Sequence, residues 1–443
     1  MFGTAAAMNI FSGRRTVHWM LVFEAALARA QAQSGVIPLE AAASIERVCG
    51  SDPIELGRLT ADSMLSANAA APLVKQLTEA VAVDDPEAAK FVHWGATSQD
   101  ALDTALVLQL RESIALLRGD LDALVTTLAR LTAQHQSTPM AGRTLLQQAL
   151  PMTFGFKVAG WLDAAMRHQD RLLALEKEIS VLQFGGATGT LASLGDRAQP
   201  VMLALARALD LRLPDIPWHT QRDRLAAVAT TCGLLVGTLG KIAGDIALSS
   251  QTEVGELAEP AEPGKGGSST LPHKRNLVGC NYVAAVAMRV PNLVATMLSA
   301  MAHEHERAAG AWHAEWEVLP EILRLTAGGL VHLKRMTERL DVNVLRMREN
   351  LGITRGQLMA ECITIALGAR IGRMRAYQLV NAACQRANAS GASLRDAMRD
   401  DRELSALLDA AEMDRLLDPA NYLGQSQVFA LKVLERQRQR SGL

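Results

Sequence analysis

The run Gly266-Gly267-Ser268-Ser269-Thr270-Leu271-Pro272-His273-Lys274-Arg275-Asn276 puts two adjacent serine hydroxyls just ahead of a lysine, an arginine and an asparagine. Pro260 and Pro263 precede it, and Gly264, Gly266 and Gly267 leave its backbone permissive. That is the composition of a lid that carries a serine and cationic donors to an anionic substrate. A surface loop that merely contains Ser and Lys has the same composition, so the run has to be weighed with the rest of the chain.

Three other segments carry polar groups at element boundaries. His93-Trp94-Gly95-Ala96-Thr97-Ser98-Gln99-Asp100 contains Thr97-x-x-Asp100 ahead of an apolar run, which spells a capping box. A helix start also offers free backbone N–H groups to an anion. Trp218-His219-Thr220-Gln221-Arg222-Asp223-Arg224 precedes the most apolar stretch of the chain and also reads as a polar helix N-terminus. The third is Gly142 to Gly155, with Thr144, Leu145 and Gln147 near its start. Motifs for metals and nucleotides fail. His303-Glu304-His305 is not HExxH, and residues two apart on a helix do not face one site. Gly240-Lys241-Ile242 lacks the Ser/Thr and spacing of a phosphate loop, and Gly185 to Gly189 lacks GxGxxG. No metal and no organic cofactor is expected.

The elements that must position these groups are helices. The chain has 443 residues, 49% apolar and only 4% aromatic, which favours helix over sheet and allows a large core. Leu110, Ile114, Leu117, Leu121, Leu124, Leu128 and Leu131 alternate steps of four and three. That period of 3.5 is the seam of a long helix packed nearly parallel to its partners. Further long helical patterns run over about 152–182, 224–258, 278–307 and 319–350. The expected architecture is all-α in three parts: short helices over 1–103, a central long-helix bundle over 104–350, and a small C-terminal helical domain over 351–443. The stretch Leu225 to Ala247 is apolar nearly all round but holds Lys241 and Asp245. It reads as a helix buried between subunits, in a multi-helix core, rather than a membrane span.

A net charge of −1 provides no basic field for nucleic acid. The five cysteines are far apart, as expected of reduced thiols in the cytoplasm, and the first residues do not read as a secretory signal.

The serine run resembles the GSSxMPxKxNP loop of the fumarase/aspartase superfamily, which includes adenylosuccinate lyase, argininosuccinate lyase and 3-carboxymuconate cycloisomerase. Leu271 and Leu277 replace the usual Met and Pro. Gly142 to Gly155 resembles the GRTHxQxAxPxTFG segment, and the other two segments match in order along the chain. GATSQD, TLLQQALPMTFG, WHTQRDR and ERAAGAWHAEW are most similar to the bacterial cycloisomerases. The resemblance implies a homotetramer whose sites each draw on three subunits, and a small tricarboxylate-type substrate. It implies Ser268 as the proton-transferring residue, with Ser269 as the fallback, and Lys274 as the cation that lowers the serine pKa and neutralises developing charge. It places Thr97, Ser98, Thr144, Gln147, Asn276, Arg275, His93, Gln221, Arg14 and Leu145 around the substrate. Leu145 stands where many members have a histidine, and a leucine cannot transfer a proton. A carboxylate, with a pKa near ~4, leaves or attacks without one. The substitution therefore fits lactonisation of a carboxymuconate. A C–N lyase like adenylosuccinate lyase, or a cycloisomerase acting on a substituted, for example sulfonated, muconate, is the alternative.

Overall fold

The computed structural model describes residues 2–260, 262, 264–268 and 270–441. Ser269 and Pro263 therefore lie outside the described residues. Among the described residues, five helices of 22 to 37 residues dominate: Ser98–Gln134, Phe154–Ile179, Asp223–Ser249, Val278–Ser299 and Ala311–Glu338. The predicted seam is buried throughout, with Leu110, Ile114, Leu117, Leu121, Leu124, Leu128 and Leu131 at most 2% exposed. The all-α expectation holds, with four short strands added to it among the described residues.

Three of the long helices depart from the sequence reading: the one expected over 278–307 ends at Ser299, and two others give up their C-terminal ends to strand pairing. The helix expected over 224–258 stops at Ser249, and Leu257–Ala258 become β3. The helix expected over 319–350 runs Ala311–Glu338, with Pro320 inside it. Asp341–Val342 then become β4 and pair antiparallel with β3, Leu257 opposite Val342 and Ala258 opposite Asp341. Asn343 starts a separate helix, Val344–Leu351, by accepting the Arg346 N–H on its side chain (3.0 Å).

The chain forms two compact units. The first comprises residues 1–121, 168–240 and 282–332. Its helix Gly13–Gln33 starts where the Ser12 hydroxyl accepts the Arg15 N–H (3.2 Å), which places Arg14 in the first turn. Val17, Met20, Leu21 and Leu27 lie on the buried face of that helix, and Ile45 and Val48 on that of the helix Leu39–Cys49 packed against it.

The second unit comprises residues 122–167, 241–281 and 333–443. It holds the hairpin of β1 (Pro139–Thr144) and β2 (Gln147–Thr153) as well as the β3–β4 pair. Gly155 follows the hairpin where no side chain fits: a Cβ would stand 2.6 Å from both Gln136 Cα and the His135 carbonyl oxygen. Ile363, Leu367, Val380, Leu394, Met398 and Leu404 share a hydrophobic cluster in the C-terminal helices.

Two helices are long and apolar enough to cross a membrane by length and composition. In their most apolar windows, half the residues of Asp223–Ser249 are buried, but only 22% of those of Val278–Ser299. Leu234 and Met288 stand 56% and 75% exposed on these helices, so the described chain leaves apolar helix faces uncovered.

Candidate active site

In the second unit, the serine loop is closed by a short neck. Gly267 and Arg275 form an antiparallel bridge, and the Asn276 N–H donates to the Gly266 carbonyl (2.7 Å). Gly266 has φ +69°, and a Cβ there would stand 2.4 Å from the Asn276 carbonyl oxygen, so glycine is required at this crossing. Beyond the neck, the Ser268 hydroxyl oxygen accepts the Leu271 N–H at 3.0 Å and the Thr270 N–H at 3.3 Å. Ser268 is half-buried, whereas Lys274, Arg275 and Asn276 are exposed.

The hairpin carries Thr144, Leu145 and Gln147 at its tip. Thr144 pairs with Gln147, so Leu145 and Leu146 form a two-residue turn, with φ +50° and +66°. Positive φ at both turn positions is the requirement of a type I′ turn, where Asn-Gly is the usual choice. Here two leucines occupy it, 97% and 73% exposed. The sequence offered no warning of this turn, because a Leu-Leu pair carries no turn signal.

Below the tip, Arg143 donates to Glu256 through both guanidinium ends (Nη2 to Oε1 2.7 Å, Nη1 to Oε2 2.9 Å). Asn350 Nδ2 donates to the same carboxylate (2.8 Å), and Gln148 Nε2 donates to the Asn350 carbonyl (2.9 Å). This buried cluster ties the hairpin to Glu256, just before the strand that leads into the serine loop. Lys157, in the first turn after the hairpin, has its pKa lowered. Burial is the main cause, and the positive charges of Lys241 and Arg143 add to it against Asp245 and Glu256.

In the first unit, one half of the capping box forms. Ser98 opens the helix, and the Thr97 N–H donates to Asp100 Oδ2 (3.0 Å). Asp100 does more than cap. It also accepts the Gly185 and Gly186 N–H groups, both at 2.9 Å, and His219 Nε2 stands 2.7 Å from its Oδ1. Gln99 Nε2 donates to the His219 carbonyl (2.8 Å) and to Asp103 (3.0 Å). Arg222 is fully buried, with Nη1 and Nη2 donating to Asp103 (2.7 and 3.0 Å) and Nε and Nη2 to Glu315 (3.0 and 2.6 Å). Those two carboxylates hold the guanidinium pKa above its ordinary value against the cost of burial. Three of the sequence segments thus meet in one buried network. Sequence reasoning read Asp100 only as a helix cap, and His219, Arg222 and Glu315 only as parts of the WHTQRDR and ERAAGAWHAEW segments; Asp103 carried no signal of its own.

His93 sits beside this network with φ +58° and its Nδ1 2.6 Å from Glu24. Burial alone would lower the imidazole pKa. The Glu24 carboxylate and the charge of Asp100 outweigh that and raise it. Gln221 is exposed just ahead of the Asp223–Ser249 helix. Arg14 lies apart from these groups, on a cleft of about 550 Å³ lined also by Ser12, His18 and Arg29, where it pairs with Asp52 at 3.0 Å. None of the other sequence-predicted residues lines that cleft. Arg14, His93, Thr97, Ser98 and Gln221 belong to the first unit. Thr144, Leu145, Gln147, Ser268, Lys274, Arg275 and Asn276 belong to the second. Among the described residues no group of three or more His, Cys, Asp or Glu side chains is disposed to hold a metal ion.

A protein-family model described as Lyase matches residues 3–292, and one described as Adenylosuccinate lyase C-terminus matches residues 356–433. The 3-carboxy-cis,cis-muconate cycloisomerase of Pseudomonas aeruginosa is 50% identical over 436 residues, covering 98% of this chain and 94% of the relative. That of Pseudomonas putida is 49% identical over 412 residues, covering 93% and 98%. The crystal structure of the 3-carboxy-cis,cis-muconate lactonizing enzyme from Pseudomonas putida superposes with a TM-score of 0.94 at 47% identity, covering 99% of this chain and 98% of that one.

Proposed function

The chain belongs to the lyase family of the fumarase/aspartase superfamily, and on that premise we propose that it is a 3-carboxy-cis,cis-muconate cycloisomerase. The reading rests on near-full-length likeness to two enzymes of that name. Leu145 supplies an independent chemical reason. Loss of an amine or hydroxide is helped by an acid, which a leucine cannot be, whereas a carboxylate needs none.

In the lactonising direction a substrate carboxylate oxygen adds to a ring-closing carbon of the double bond, and a proton is delivered to the neighbouring carbon. One C–O bond forms and one π bond is lost. Ser268 gives that proton and is left as an alkoxide, which the Lys274 ammonium stabilises. A proton taken up from solvent restores the serine, so that the lactone is an isomer of the substrate counted with its attacking carboxyl group protonated. In reverse the same alkoxide removes the proton. Asn276, Arg275, Thr97 and Ser98 hold carboxylates by charge-assisted hydrogen bonds, the last two at a helix start whose backbone N–H groups add to the binding. Thr144, Gln147, His93, Gln221 and Arg14 complete the substrate contacts, and Leu145 packs against the unsaturated part. The division into parts 1–103, 104–350 and 351–443, the cytoplasmic location and the lack of membrane or nucleic-acid partners belong to the same reading. So does a homotetramer, which the uncovered apolar faces of Asp223–Ser249 and Val278–Ser299 support. A stable, active monomer in light scattering would remove it.

The deciding assay is the fall in ultraviolet absorbance as 3-carboxymuconate lactonises. The same preparation is offered a succinyl-adenylate-type C–N substrate and a sulfonated muconate. Turnover of either in preference to 3-carboxymuconate would overturn the substrate assignment.

A further inference from the structure

We propose that Glu259 is the positioning residue of the serine loop, an inference that rests on the reading of Ser268 as the proton carrier. The loop leaves β3 at Ala258 and ends at the helix Val278–Ser299. That helix starts behind Leu277, whose side chain has no acceptor for the orphan N–H groups of the first turn. Glu259, at the opposite end of the loop, supplies both acceptors: its Oε2 takes the Gly279 N–H at 3.0 Å and its Oε1 the Cys280 N–H at 2.8 Å. The carboxylate is buried, 6% exposed, and faces the positive end of the helix dipole. Gly279 makes room for it, since a Cβ there would stand 3.2 and 3.4 Å from the two carboxylate oxygens. Lys265 adds a second positive charge 3.7 Å from Oε2.

One side chain thus joins the two ends of the loop, and the Gly266–Asn276 neck closes it again nearer the tip. Ser268 lies beyond both closures, its oxygen orientation set by the Leu271 and Thr270 N–H groups. The span of chain between the closures carries no regular secondary structure among its described residues. The position of the Ser268 oxygen therefore depends on where Glu259 holds the stems. This role differs from an ordinary helix cap, because the carboxylate comes from the far side of the catalytic loop rather than from the residue before the helix.

The test uses Glu259→Gln and Glu259→Asp in the full chain. Glutamine replaces one acceptor oxygen by a donor that faces an N–H, and removes the charge. In Glu259→Gln, kcat should fall by roughly tenfold to a hundredfold, the effect of displacing a reacting group by about 1 Å. Glu259→Asp, which keeps the charge and both oxygens, should recover part of the loss. Trypsin should cut the Gln variant faster than the wild type after the exposed Lys274 and Arg275, with other sites cut at wild-type rates. Wild-type kcat and wild-type cleavage overturn the proposal. Faster loop cleavage with wild-type kcat also overturns it, because Glu259 is then only a cap. If the Gln variant is cut faster everywhere, it has unfolded, and the Asp variant is read by the same two criteria. Failure of the underlying reading looks different: Ser268→Ala would then keep its turnover, whatever Glu259 does.

Discussion

Replacing Leu145-Leu146 by Asn-Gly should make the protein more stable and the enzyme worse. Both leucines are held at positive φ, +50° and +66°. The left-handed region costs an L-residue roughly 1–2 kcal/mol, so the pair stores roughly 2–4 kcal/mol. The side chains are 97% and 73% exposed, so burial within the described chain offsets little of this. Asn and Gly tolerate this backbone, although the glycine costs roughly 0.5–1 kcal/mol of unfolded-state entropy. The net expectation is roughly 1–3 kcal/mol in favour of the variant, or on the order of 5- to 150-fold slower amide hydrogen exchange in the hairpin. Hydrogen exchange is preferred to a melting temperature because it reads the hairpin locally and is less entangled with assembly. In the lactonisation assay the same variant loses the packing of Leu145 against the substrate, roughly 1–3 kcal/mol, which appears mainly as a raised KM. Slower exchange with unchanged KM would show that the strain is not kept for the substrate. Unchanged exchange would show that the turn stores no strain and would refute the argument at its base. Leu145→His, placed in the same turn, should not raise the lactonisation rate. A measured increase would mean that proton transfer at this position limits the reaction.

Ser268→Ala should lower kcat by on the order of 10²–10⁴ with substrate binding retained, whereas Lys274→Ala should impair both kcat and KM; steady-state kinetics and equilibrium binding separate the two. Arg222→Met leaves Asp103 and Glu315 buried without their common partner and should cost about 3–5 kcal/mol in denaturant unfolding; a loss below about 1 kcal/mol would mean that the network is not the anchor described here. Glu24→Gln tests the pair with His93, whose pKa is raised in the folded state. The pair's contribution is fully present below the unfolded histidine value of about 6.5 and is lost as the pH rises through the raised value, so the penalty should be largest in acid and shrink in base. Thermal melts across that range with a constant penalty would contradict it. Dialysis against chelator should leave turnover intact; activity lost and then restored by one divalent ion would refute the expectation of metal-free chemistry.

Some of this was legible along the chain. The seam from Leu110 to Leu131 announced a long buried helix, because helical periodicity is a local property of one segment. The serine run could be found along the chain, because a glycine-bounded cluster of hydroxyl, ammonium and amide groups is written in consecutive residues, and the chemistry proposed for it comes from the resemblance. Leu145 became informative only through the resemblance, which sets it where many family members have a histidine. Tertiary structure decided what joins residues far apart in number. Arg222 finds Asp103 across 119 positions and Glu315 across 93. Glu256 finds Arg143 across 113, and Glu259 caps a helix that starts on the far side of the serine loop. A carboxylate's identity does not name its donor; burial leaves it the choice of a partner or a large desolvation cost, and only the folded chain presents the partner. The Leu-Leu turn follows the same logic. Its residues favour no turn, and the pairing of Thr144 with Gln147 imposes positive φ on whatever lies between.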